Sequence, residues 1–70
     1  MIENKFASRL KTLREEKGLS QNKLAKETGI SQVAISRWER GLQIPNIDTL
    51  IVFAKYFKVS CDYLVGMEDY

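Results

Sequence analysis

Apolar residues recur along this chain at helical rather than strand spacing. Phe6, Leu10 and Leu13 fall at i, i+4 and i+7, while Lys5, Arg9 and Lys11 lie mostly off that stripe. Leu50, Ala54 and Phe57 repeat the pattern, helped by Ile47 and Phe53, and all of these are expected in a core. The stretch around Leu24 and Ala25 has too few apolar positions to fold alone and must be clamped between neighbours. Gly18, Gly29, Gly41 and Gly66 each follow a periodic segment, where a chain leaving a helix often turns left-handed. Ser20, Ser31, Asn46 and Ser60 stand where N-caps belong, and Asp48 and Asp62 put negative charge near the starts of the helices that follow. The reading is all-α, a five-helix domain with helices at about 3–17, 20–28, 31–40, 46–57 and 60–65. The domain spans residues 1–66 and a tail covers 67–70, with no linker, internal repeat or low-complexity tract.

Composition narrows the function classes. The chain has 70 residues, no His and one Cys. Zinc or haem ligation by His and Cys, a Ser-His-Asp triad and a Cys-His pair therefore cannot be assembled within it. No paired-carboxylate or Gly-rich phosphate motif is present, so an enzyme is not expected, nor a cofactor, a metal or a small-molecule ligand. The longest apolar run, Leu50 to Ala54, is far short of the roughly 20 residues of a membrane span. Met1 to Lys5 does not read as a signal peptide, and the single Cys suits a reducing compartment, so a cytoplasmic location is expected. The net charge of +2 hides an asymmetry. Residues 1–40 carry nine basic and five acidic side chains, and residues 41–70 carry two basic and four acidic. The N-terminal part is the one suited to a polyanion.

The two short helices between Ser20 and Gly41, joined at Thr28-Gly29-Ile30, have the outline of a pair whose second helix enters the DNA major groove. At 100° per residue from Ile35, Trp38 and Glu39 fall within about 60° on the core side, whereas Val33, Arg37 and Arg40 lie roughly 140–200° away and Ser36 near 100°. Arg37 can offer two donors to guanine, Gln32 can pair with adenine, and Val33 can rest on a thymine methyl. Arg40 and Ser36 suit phosphate or base contacts. An ordinary solvated face is the competing reading, but an exposed valine near a helix start does nothing for folding. Glu39 on the core side needs a partner. Arg14 is the natural one, forming a structural ion pair, with Arg40 or Lys55 as rivals. Lys23, at the third position of its helix, opposes the helix dipole and becomes sensible if that helix start lies against a phosphate, with Gln21 donating to the same strand.

These residues together resemble a known pattern. Leu19-Ser20-Gln21, Leu24-Ala25, Gly29-Ile30-Ser31, Ile35-Ser36-Arg37-Trp38-Glu39-Arg40-Gly41, Pro45, Leu50, Ala54, Val59-Ser60 and Leu64 stand at the spacing of the Cro and phage-repressor helix-turn-helix family, also called the XRE family. The resemblance runs over about residues 6–66. It implies a five-helix domain that binds operator DNA as a dimer on a palindromic site. By position it assigns base contacts to Gln32, Val33 and Arg37, and phosphate or bracing roles to Gln21, Ser31, Ser36 and Arg40. It also supports the Arg14–Glu39 pair. Three positions depart from the family pattern. Leu42-Gln43-Ile44 stands where many members carry Lys or Arg, leaving Gln43 as that loop's DNA-facing residue. Lys58 replaces a frequent glycine after the fourth helix and requires a left-handed exit or a different one. Val52 replaces a common polar residue.

Val52 and Tyr56 make the fourth helix apolar nearly all round. With Val65, Met67 and Tyr70 they are expected to form a symmetric homodimer contact, the alternative being that the tail folds over that helix within one chain. Cys61 reads as a half-buried small apolar residue. The functional expectation is a sequence-specific DNA-binding transcriptional regulator, a repressor that binds double-stranded DNA through residues 31–40. The competing expectation is an antitoxin-type or other protein-interaction module, with a protein partner and autoregulatory DNA binding. A separate effector-sensing domain has no room in 70 residues, unless they are a piece of a longer regulator.

Overall fold

The computed structural model describes residues 4–68 and is all-helical over them: α1 (Phe6–Glu16), α2 (Gln21–Thr28), α3 (Gln32–Glu39), α4 (Ile47–Phe57) and α5 (Cys61–Val65). The four expected caps are in place. Ser20 accepts from the Lys23 amide, Ser31 from Ala34, Asn46 from Thr49 and Ser60 from Tyr63, so each of these helix starts loses one orphan donor. Helix α1 is the exception and corrects the expected start near residue 3. The Asn4 side chain takes the Phe6 amide at 2.8 Å, Lys5 caps without a side-chain bond, and the Lys5 amide donates to the Val65 carbonyl. The chain is thereby turned across α5 before α1 begins.

One core holds the helices together. Phe6 and Leu10 from α1, Leu24 from α2, Ile35 and Trp38 from α3, Phe53 and Ala54 from α4 and Leu64 from α5 are buried. At its centre, the Phe6 and Phe53 rings each meet Trp38 close to edge-on, with centroids 6.3 and 5.7 Å away. Such geometry lets a positive ring edge face a negative ring face. Helix α3 packs on α1 and α2, and α5 on α1 and α4, so α3 is buried along one side and open along the other.

Ile47 corrects the expected core. It shares the angular sector of Ala54 but is 70 % exposed. A helical side chain leans toward the N-terminus, so at the first residue of α4 it overhangs the end of the core. Leu42, Ile44 and Ile51 are exposed as well. Phe53, which was only an accessory to the expected stripe, is fully buried, whereas Leu50 and Phe57 pack at the edge. Cys61 is a half-buried free thiol packed against the core. Lys58 takes the left-handed exit, with φ 58° and ψ 44°.

Candidate nucleic-acid interface

The open side of α3 presents the residues expected there. Val33 is 58 % exposed, and Arg37 and Arg40 are exposed at one and two further turns along the same face. Ser36 is half-buried between that face and the core. Ser31 is spent as an acceptor on the Ala34 amide, but its hydroxyl proton remains available to donate. Gln43 is exposed in the loop after α3. That loop is tied to the helix by the Leu42 amide, which donates to the Arg37 carbonyl. Lys23 is exposed at the start of α2 and lies 3.9 Å from Glu27 one turn on.

Behind this face lies a polar network centred on Glu39, whose side chain is 3 % exposed. Arg14 grips the carboxylate with two nitrogens, Nε to Oε2 at 2.7 Å and Nη2 to Oε1 at 2.9 Å. Its third nitrogen donates to the Leu19 carbonyl at 2.7 Å, so one guanidinium joins α1, the α1–α2 turn and α3. The hydrogen bonds to Glu39 raise the Arg14 pKa above its usual value; burial opposes this, and the charges of Glu39 and Glu15 add to it. The expected pair is present and the rivals Arg40 and Lys55 are not Glu39's partners.

Two amides extend the network to the open face. Gln21 Nε2 donates to Glu39 Oε1 at 3.1 Å, and Gln32 Nε2 donates to Gln21 Oε1 at 2.9 Å. The sequence pattern did not reveal this chain. Both glutamines are the first residue of their helix, but only the α2–α3 crossing shows that eleven positions of separation bring them into contact. Arg9 was also missed. Its guanidinium sits 4.2 Å from the centre of the Tyr63 ring and donates to the Tyr63 and Glu68 carbonyls, holding the C-terminal segment against α1.

The residues expected at a dimer contact are not all in one situation. Val52 is 39 % and Met67 78 % exposed, while Val65 is half-buried. Tyr56 is half-buried and makes contacts within the chain. Its ring packs on Phe57 and under the Lys17 ammonium, and its hydroxyl donates to Glu27, which raises the phenol's pKa above the usual range. Tyr70 lies outside the described residues.

A short capped helix, a left-handed glycine turn and a second helix buried on one side and basic on the other define a helix-turn-helix DNA-binding domain. The chain belongs to the HTH_3 helix-turn-helix family, whose model matches residues 10–64, and so to the regulators of XRE and Cro type rather than to enzymes. It is 39 % identical over 64 residues to the HTH-type transcriptional activator BcrR of Enterococcus faecalis, covering 91 % of this chain and 31 % of that protein. It is also 39 % identical over 60 residues to repressor protein C2 of Salmonella phage P22, covering 86 % of this chain and 28 % of that one. The P22 c2 repressor solved with a synthetic operator superposes with a TM-score of 0.82 at 35 % identity, covering 90 % of this chain and 96 % of that one. A transcriptional regulator from Listeria innocua superposes at 0.84 with 34 % identity, over 93 % of this chain and 61 % of that one. The chain thus spans about a third of the length of BcrR and of the P22 repressor. No described helix is long and apolar enough to cross a membrane.

Proposed function

We propose that this domain is the operator-reading part of a transcriptional repressor that places α3 in the major groove of a palindromic site as a homodimer. The observation that carries the reading is the aligned exposure of Val33, Arg37 and Arg40 on the one side of α3 that no other helix covers. Arg37 is assigned to a guanine edge, Gln32 to adenine, and Val33 to a thymine methyl. Arg40, Lys23, Ser31, Ser36 and Gln43 are assigned to the phosphates, which set register and supply most of the salt-dependent affinity. Repression follows from occupancy, because a bound dimer excludes polymerase from an overlapping promoter. The likeness to the P22 c2 repressor, which was solved with an operator, supports operator binding.

The homodimer reading rests on exposed apolar side chains. Val52 and Met67 remain available from the expected set, and Ile47 and Ile51 add to the apolar surface of α4. Footprinting on the DNA upstream of the chain's own gene is expected to show a protected, two-fold symmetric site at low salt; absence of any protection there and in a selection from random duplexes would overturn the reading. Sedimentation is expected to show two chains per site on DNA, and a monomer both free and bound at high micromolar concentration would remove the dimer.

A further inference from the structure

We propose that Tyr56 and Glu27 are positioning residues for DNA binding: the Tyr56 hydroxyl holds the Glu27 carboxylate against α4, which keeps the Lys23 ammonium free for a phosphate. This rests on Lys23 meeting the DNA backbone when α3 enters the groove. Along α2 itself both charges are badly placed. Lys23 stands in the first turn and Glu27 in the last, each at the end of the helix whose partial charge has its own sign. A Lys four residues before a Glu is also the weaker order for a pair within one helix. The reason for each lies outside α2.

For Glu27 it lies on α4. Oε1 of the carboxylate accepts the Tyr56 hydroxyl, and the same bond raises the phenol's pKa. The ring that carries this hydroxyl is fixed on two sides, edge-on to Phe57 with centroids 5.0 Å apart and beneath the Lys17 ammonium at 5.0 Å from the ring centre. The other carboxylate oxygen, Oε2, is 3.9 Å from Lys23 Nζ, too far for a hydrogen bond. Lys23 thus feels the carboxylate without spending an N–H on it, and its side chain is 60 % exposed near the start of α2. Its three donors remain for a phosphate oxygen.

Without the hydroxyl the balance changes. A glutamate released from α4 has rotamers that bring an oxygen within hydrogen-bond distance of a lysine one turn before it. Lys23 then has to leave that ion pair to reach the DNA, and the carboxylate itself moves toward the phosphates. Both consequences weaken binding by the same factor on every sequence, because a phosphate contact carries no base information. Exposed ion pairs are weak, so the factor is about two- to fourfold.

The test is affinity on the selected operator and on random duplex, each across a salt series, for Tyr56→Phe, Glu27→Gln and Lys23→Ala singly and in pairs. Tyr56→Phe is expected to weaken binding about two- to fourfold on both DNAs at low salt. In a Glu27→Gln or a Lys23→Ala background the same substitution is expected to change nothing, since either the competitor or its target is gone. A loss that persists in both backgrounds, or no loss in the parent chain, overturns the positioning role. Glu27→Gln keeps the size of an exposed side chain and reads the carboxylate directly even if thermal melts show Tyr56→Phe to be poorly folded. It should bind more tightly than the parent, and equal or looser binding also overturns the role. Lys23→Ala alone should weaken both DNAs and lower the slope of log affinity against log salt by about one. If it changes neither, Lys23 is not a phosphate contact, and the role of Tyr56 falls with that assignment. A normal Lys23→Ala loss without coupling to Tyr56 refutes the positioning role alone.

Discussion

Helix α3 is held in two places by opposite means. On one side Trp38 is wedged between Phe6 and Phe53, with no polar atom needed to orient it except its own indole edge. On the other, Glu39 is fixed by Arg14 and Gln21 through bonds of defined direction. The aromatic side is adaptable, since rings can slide by tenths of an ångström at little cost, and its strength comes from area removed from water. The polar side adds less net free energy, because two charges had to be desolvated to form it, but it tolerates few alternative geometries. The aromatic cluster keeps α3 attached, and the Glu39 network fixes its rotation and the groups it presents on its open side.

The largest expected effect comes from breaking the aromatic side. A domain of this length is stable by roughly 4–10 kcal/mol. Phe53→Ala is expected to cost about 4 kcal/mol, which removes between roughly two fifths and all of that stability. Chemical denaturation followed by helical circular dichroism measures it, and a loss below about 1 kcal/mol would mean that the cluster is not the main attachment. Next comes Glu39→Ala, which strands Arg14 with only the Leu19 carbonyl and is expected to cost about 3 kcal/mol. The two substitutions differ most in what survives. Glu39→Ala protein that still folds should bind DNA with blurred sequence preference, whereas folded Phe53→Ala protein should retain its preference with a smaller active fraction.

The outward face provides a smaller and different break. Arg37 is exposed on α3, so Arg37→Ala is expected to leave stability within about 0.5 kcal/mol. Its cost should appear only in binding, as about 1–3 kcal/mol on the selected operator and little on random duplex. Arg40→Ala, by contrast, should weaken both DNAs alike and lower the slope of log affinity against log salt by about one. Equal losses for Arg37→Ala on both DNAs would move Arg37 from the base-reading set to the phosphate set.

The sequence made the aromatic side and the outward face legible, but only half of the Glu39 network. Ile35, Trp38, Val33 and Arg37 can be sorted by angle alone, since a single helix has one buried side and the period is fixed. Glu39 announced itself as a charge on that buried side, and Arg14 as the nearest cation of suitable length. The bond between Gln21 and Gln32 could not be read in this way. It depends on the angle and distance at which α2 crosses α3, set by tertiary packing and not by either helix's own pattern. Ile47 was misplaced, and the contacts of Tyr56 were missed, for a related reason. A helical wheel has no ends and no neighbours, so it cannot show that the first residue of α4 overhangs the core or that Glu27 and Lys17 reach across to contact Tyr56.

The smallest expected effect concerns neither side of α3 but the exits that set helix lengths. Helices α2 and α4 both end on a left-handed residue, Gly29 with φ 74° and Lys58 with φ 58°. Glycine enters that region freely, whereas a Cβ-bearing residue meets the following carbonyl at a cost of about 1 kcal/mol. At Lys58 that cost is tolerated because the turn is otherwise well satisfied: the Val59 amide donates to the Ala54 carbonyl at 3.0 Å, as the Gly29 amide does to Ala25 at 2.9 Å. Lys58→Gly removes the steric term but gives the unfolded chain more freedom, worth about 0.4–1 kcal/mol, so the net gain is expected to be about 0.5 kcal/mol or less. For a domain this small, that raises Tm by roughly 4 °C at most. Lys58→Ala keeps the Cβ and should gain almost nothing, which separates backbone relief from loss of the charge. If both variants were equally stabilised, the lysine's charge and not its backbone would be the source, and the two exits would differ in electrostatics instead of strain.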